Sequence, residues 1–199
     1  GQPTFYPMTD ERQEGEFLTG SFLVALPGMG DPRFSESVIL LSEHSETGAM
    51  GFIVNKPLDG IEFSDLAEQL DITASGDLQD VPVLTGGPVE RQRGFVLHSP
   101  DYAIDAETQE VNSTFSVTAH ADILRALASG EGPVNRVLAL GYAGWGPGQL
   151  EDEIRANAWL VVPSEGTLVF DLPAKVRWTA ALTAAGVDPA KLSGLSGSA

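Results

Sequence analysis

The sequence predicts an α+β fold built on a largely antiparallel, curved sheet, and three observations predict it. Short apolar runs mix with amphipathic stretches without the strict strand–helix alternation of a parallel sheet. Val38–Leu41 and Met50–Val54 are joined by a connection short enough for an antiparallel hairpin. Glycine and proline groups punctuate the apolar runs, which keeps each strand short.

Thr9–Glu16 is polar and acidic without an apolar face, so residues 1–16 are expected to be mobile, with residues 1–7, ahead of Met8, read as appended to the native chain. Residues 17–199 are expected to form a single domain. Ser21–Leu26 is a strand closed by Pro27-Gly28-Met29-Gly30-Asp31-Pro32. Val38–Leu41 is the second strand and runs into Ser42-Glu43-His44-Ser45-Glu46; Met50–Val54 is the third and ends at Asn55-Lys56-Pro57. Their hairpin sets Glu43, His44 and Asn55 near strand ends or the turn. Phe63, Leu66, Ala67 and Leu70 have the three-and-four spacing of an amphipathic helix. Asp77–Asp80 reads as a polar linker.

Val81–Thr85 and Gly94–Leu97 read as strands on either side of Gly86-Gly87-Pro88-Val89-Glu90-Arg91, and Phe115–Thr118 as another. A short helix from His120 to Ser129 carries Ile123, Leu124 and Leu127 and is ended by Gly130. Trp159–Val162 and Thr167–Phe170 read as a hairpin around Ser164-Glu165-Gly166. A last helix, Ala174–Ala185, is closed by Gly186, and Asp188-Pro189 begins a final helical turn.

The stretch from Leu138 to Leu160 organises the rest. Val137-Leu138-Ala139-Leu140 reads as a buried strand that stops at four glycines and Pro147, with Pro147 placed in the first turn of the helix that follows. On that helix Leu150 and Ile154 share a face, Glu151 can pair with Arg155, and the acidic first turn complements the N-terminal end of the dipole. Tyr142 and Trp145 fall beside a glycine-rich bend. They either form a shallow ligand or partner site with the free amides that open the helix, or they cap the core.

A family resemblance is carried by Gly141-Tyr142-Ala143-Gly144-Trp145, Gly148-Gln149-Leu150-Glu151, Glu153 and Asn157-Ala158-Trp159. Upstream blocks agree: Asp31-Pro32-Arg33-Phe34, Ser37-Val38, Glu43-His44, Gly48-Ala49-Met50-Gly51, Asn55-Lys56-Pro57, Gly86-Gly87-Pro88 and Gly94-Phe95-Val96-Leu97-His98. From about Gly20 onward the chain resembles the YqgE/AlgH family of bacterial proteins. The resemblance implies a bent sheet closing into a partial barrel with helices outside, no established reaction, and an association with transcriptional regulation. The chain departs from the family at its end, where Gly197-Ser198-Ala199 stands in place of Gly-His-Ala.

With 42% hydrophobic and 20% charged residues, the composition is that of a globular protein with a substantial core, but 28 acidic side chains against 11 basic ones leave a net charge of −17. Nucleic-acid affinity rests largely on Lys and Arg, so direct DNA binding is disfavoured. The absence of cysteine removes disulfides, thiolate catalysis and cysteine-based metal sites. No apolar run approaches the ~20 residues that span a bilayer, and no leader precedes the first strand, so a cytoplasmic protein without membrane contact is expected.

Three histidines lack the local spacing of a metal site, no Gly-x-Ser-x-Gly elbow is present, and no glycine group has the Lys and Ser/Thr of a phosphate loop. Neither a metal nor a cofactor is expected. Glu43, His44, Asn55, His98, Tyr142, Trp145, Gln149 and Glu153 remain as candidate binding residues: if the fold gathers them they form a polar pocket, and otherwise they hold turns. Two functions stay open. One is a non-catalytic module for an unidentified protein or small ligand with an indirect regulatory role. The other is a hydrolase or metal-assisted enzyme with His44 or His98 as general base, oriented by Glu43 or Glu153.

Overall fold

The structure, a computed structural model, describes residues 17–73 and 81–192. Strands β1 (Ser21–Ala25), β2 (Val38–Ser45) and β3 (Gly48–Ile53) lead to helix α1 (Phe63–Gln69), then to β4 (Val83–Thr85), β5 (Val89–His98), β6 (Thr108–Glu110) and β7 (Ser116–Thr118). Helix α2 (Ala121–Ala128) precedes the long β8 (Arg136–Trp145), followed by α3 (Gln149–Arg155), β9 (Trp159–Pro163), α4 (Gly166–Phe170) and α5 (Arg177–Ala184). Among the described residues these nine strands form one strongly curled sheet, a half-barrel, in the order β9-β1-β2-β3-β8-β5-β7-β6, with β4 off this path beside β8. Among the described residues only β4, beside β8, pairs in parallel. The fold is α+β, as the mixed pattern predicts.

Both faces of the sheet are covered, which is why the strands read as unbroken apolar runs. Phe22, Val24, Val38, Leu40, Phe52, Phe95, Leu97 and Val137 join one cluster that crosses the whole sheet and therefore lies inside the curl; Leu168 and Val169 of α4 and Ala181 and Leu182 of α5 close it. The outer face divides into two. Phe63 and Ala67 of α1 with Ile123 and Leu127 of α2 cover Val83, Val96, Leu138 and Leu140. Leu150 of α3 covers Leu23, Ile39, Leu41, Ile53, Ala143 and Trp145.

Strand β8 belongs to both halves. Its first part pairs with β5 and β4, its last part with β3. Val137 and Ala139 face the inner cluster, yet beyond Gly141 the odd-numbered Ala143 and Trp145 face outward. The alternation slips by one residue at Gly141, whose φ of 80° places it in the left-handed region. There the Gly86-Gly87 backbone crosses β8: a Cβ on Gly141 would lie 2.4 Å from the Gly87 carbonyl oxygen, and one on Gly87 2.1 Å from the Tyr142 carbonyl carbon. The Ile53 amide donates to the Gly86 oxygen at 2.8 Å and the Gly86 amide to the Leu140 oxygen at 2.7 Å, so the crossing is bonded to both halves.

The glycines therefore do not stop the strand, which runs on to Trp145. Pro147 lies ahead of the Gly148 N-cap, outside α3, so it does not occupy the first helical turn. Thr167–Phe170 is not the partner of β9: residues Gly166–Phe170 are helical, because Leu168 and Val169 both pack into the inner cluster, while β9 pairs with β1. The last helix divides into a 3₁₀ turn, Ala174–Val176, and α5. Arg155 pairs with Asp152 and leaves Glu151 free to turn elsewhere. Strand β5 starts five residues before Gly94, at Val89, and β6 was not anticipated. Residues 189–192 are helical, as expected after Asp188. The expectations for residues 1–16, the 77–80 linker and the Gly197-Ser198-Ala199 end lie on, or extend into, stretches outside the described residues.

Gly141→Ala is expected to lower stability by about 2–4 kcal/mol, since the crossing strands must separate as well as accept the strained φ. Gly130→Ala, with a similar φ of 83° but nothing within 4 Å of the added carbon, is expected to cost only about 1 kcal/mol. Urea denaturation of the two variants checks the difference.

Candidate functional site

A bulge aims the first candidate. The β2–β3 register shifts between Leu41 and Glu43, leaving Ser42 as an extra residue. Ahead of it Ile39 and Leu41 face α3; beyond it His44 does, while Glu43 is exposed. The His44 side chain is 1% exposed. Its Nδ1 accepts the Leu18 amide at 3.0 Å, so the ring carries its proton on Nε2, which donates to Glu151 Oε2 at 3.2 Å. The Phe17 ring meets the imidazole edge-on with centroids 5.3 Å apart. The carboxylate orienting His44 is Glu151 of α3, and not Glu43 or Glu153.

Glu153 is occupied otherwise. Its Oε1 accepts from the indole Nε1 of Trp145 at 2.9 Å and of Trp159 at 3.0 Å, and its Oε2 accepts from Gln149 Nε2 at 2.9 Å. Gln149 Oε1 in turn accepts the Gly146 amide at 2.9 Å. One carboxylate thus fastens the end of β8, the turn, α3 and the start of β9. The two indoles pack edge-to-face, 6.1 Å between centroids. Glu151 and Glu153 point to different partners, as their two-residue separation requires.

Three candidates lie elsewhere. Asn55 stands at the opposite end of the hairpin, where Oδ1 accepts the Val38 amide at 2.9 Å and Nδ2 donates to the Glu36 oxygen at 2.8 Å. The Tyr142 hydroxyl donates to Glu90 Oε2 at 2.9 Å, and that carboxylate raises the phenol's pKa. His98 is fully buried: Nδ1 donates to the Ser99 oxygen at 2.7 Å and Nε2 accepts from the Thr118 hydroxyl at 2.8 Å. Thr118 is bonded to the Thr108 hydroxyl, which accepts the Ile104 amide, so a chain of bonds ends on the imidazole. Thr108 and Thr118 carry no signal in the sequence, whereas Glu151 and Trp159 stand in the segment that carries the family resemblance but outside the candidate binding set.

A cleft of about 460 Å³ opens to solvent at the β2–β3 turn, lined by Thr19, Ser42, Glu43, His44, Ser45, Thr47, Met50, Gln109 and Trp145. Gln109 donates to the Ser42 oxygen, and the Ser45 and Thr47 hydroxyls bond each other. Glu43 has no side-chain hydrogen bond or ion pair among the described residues. Among the described residues no three His, Cys, Asp or Glu side chains converge as a metal site would require. No helix there is long and apolar enough to cross a membrane.

Residues 22–190 match the model of the AlgH-like family, DUF179. The chain belongs to this family. A UPF0301 protein of Cereibacter sphaeroides is 48% identical over 182 residues, 92% of this chain and 99% of that relative. A UPF0301 protein of Rhodospirillum rubrum is 48% identical over 193 residues, covering 97% and 100%. The solution structure of the AlgH protein from Pseudomonas aeruginosa aligns with a TM-score of 0.75 at 40% identity, over 89% of this chain and 93% of that one. The family is uncharacterised, and these names state no reaction. For its AlgH-like signature the geometry supplies a use: Trp145, Gln149, Glu151, Glu153 and Trp159 tie α3 to the sheet.

Burial pushes the His98 pKa below its ordinary value, while the Ser99 carbonyl and Asp101 pull it partly back. The unfolded chain therefore protonates first as the pH falls. The stability held by neutral His98 is complete above about pH 6.5 and is lost as the pH drops toward the lower folded value. The stability advantage of the native chain over His98→Gln is expected to shrink between about pH 7.5 and pH 5.5. Denaturant titrations at the two pH values measure it.

Proposed function

We propose that the chain is a non-catalytic binding module whose cleft at the β2–β3 turn receives a cationic group of a protein or small ligand. The observation that carries this reading is the Glu43 carboxylate, uncommitted among the described residues and set among hydroxyl and amide side chains in a cleft of about 460 Å³. Both nitrogens of His44 and of His98 are engaged within the chain, so a general base would first have to break a bond that positions it. A cation is the complementary partner for an exposed carboxylate, and the net charge of −17 steers cations toward the surface as a whole. The same charge repels phosphate backbones. Any effect on transcription is therefore indirect, through a partner that itself meets DNA, and the module works in the cytoplasm.

General attraction to an acidic surface must be separated from recognition by the cleft. Spermidine titrated calorimetrically at near-physiological salt is expected to bind the native chain. Glu43→Gln is expected to weaken that binding about fivefold or more, whereas Glu131→Gln, an exposed acid outside the cleft, changes it little. Equal losses from the two variants would reduce the cleft to one more acidic patch. Retention of duplex DNA by the purified chain at the same salt would contradict the indirect role.

A further inference from the structure

A second cavity, of about 380 Å³, opens between the Pro57–Phe63 segment, the β4 strand and the Arg177 end of α5. Its walls are mainly apolar, with Leu58, Phe63, Val83 and Leu84 among them, and Arg177 also lines it. Arg177 is 6% exposed. Nη1 donates to the Val54 oxygen at 2.6 Å and Nε to the Leu172 oxygen at 3.0 Å, both neutral acceptors. No carboxylate among the described residues forms an ion pair with it, although the chain has 28 acidic residues against 11 basic ones. Glu62, the acid in the lining, makes no such pair either.

A buried cation with no counter-charge is costly, and proteins normally pair it. Here burial alone lowers the Arg177 pKa, with no carboxylate acting to raise it. Nη2 makes no hydrogen bond among the described residues, so the guanidinium keeps a free donor edge. The cavity volume falls within the range of roughly 300–1,000 Å³ typical of small-molecule sites, whose pattern is apolar walls with one or two fixed polar groups. We infer that this cavity binds a small aliphatic carboxylate, its chain against Leu58, Phe63, Val83 and Leu84 and its head on the Arg177 guanidinium. The site is separate from the Glu43 cleft and does not depend on the function proposed for it.

Sodium octanoate and neutral octanamide, titrated into the full chain and followed by methyl 1H–13C correlation spectra, test it. Octanoate is expected to shift the methyls of Leu58, Val83 and Leu84 and to bind at least about tenfold more tightly than octanamide, the lower bound for a charge-assisted hydrogen bond. Arg177→Gln should erase the preference while retaining weak binding of both probes. Because Arg177 also holds two carbonyls, Leu58→Trp serves as a second variant: it fills the cavity without touching the guanidinium and should remove binding of both. Glu43→Gln should change neither. Equal affinity for acid and amide in the native chain, or octanoate shifts that avoid these three residues, would overturn the assignment.

Discussion

Where Gly86-Gly87 crosses Gly141-Tyr142, two backbones approach more closely than any Cβ permits, and the curl of the sheet depends on that contact. On one side β8 pairs with β5 and β4; on the other it pairs with β3. A flat strand would keep its side-chain alternation throughout and leave Ala143 and Trp145 on the wrong face. The slip at Gly141 instead turns Trp145 outward, toward α3. Bulges elsewhere in sheets re-aim side chains in the same way, and Ser42 does so for His44.

Two irregularities thus bring Trp145 and His44 to the same helix, and α3 answers each with a carboxylate. Glu153 holds both indoles and Glu151 holds the imidazole. Hydrogen bonds to a charged acceptor, partly shielded from water, are stronger than neutral ones, so α3, only seven residues long, is fixed by more than the burial of Leu150. Of the polar residues that a reader would assign to chemistry, His44, His98 and Glu153 are committed to architecture. The groups left uncommitted among the described residues, Glu43 in one cavity and the donor edge of Arg177 in another, are of opposite charge and in different surroundings.

Much of this was legible in the chain itself. Strands covered on both faces read as unbroken apolar runs, and the β2–β3 hairpin, α1 and α2 follow from spacing and from Gly130. The failures have specific causes. Gly141 punctuates a sequence as a turn glycine does, yet inside β8 it serves a close crossing that only the distant Gly86-Gly87 explains. Gly166–Phe170 has strand-like composition, but packing into the inner cluster makes it helical. Thr108–Glu110 has no apolar residue to announce a strand and exists through its pairing with β7.

The site was half visible for the same reason. Gln149 and Glu153 lie one turn apart on one helix, and Trp145 is near them in sequence, so their meeting is local. His44 and Glu151 are 107 positions apart and meet only because Ser42 shifts the register. Asn55 and His98 are likewise strand-end residues, but each ties its strand end to a different neighbouring segment, Asn55 to Glu36 and Val38 and His98 to Ser99 and Thr118. Arg177 gave no signal, since a lone arginine on a short helix is ordinarily a solvated one.

Native-state hydrogen exchange measures the claim about the crossing most directly, at the amides of Ile53 and Gly86, which bond to Gly86 and Leu140. If the crossing holds the two halves of the sheet together, both amides exchange only through global unfolding, with the same free energy and denaturant dependence as the core of β2. Exchange of either amide through a local opening, at lower free energy than Leu40 in β2, would contradict it.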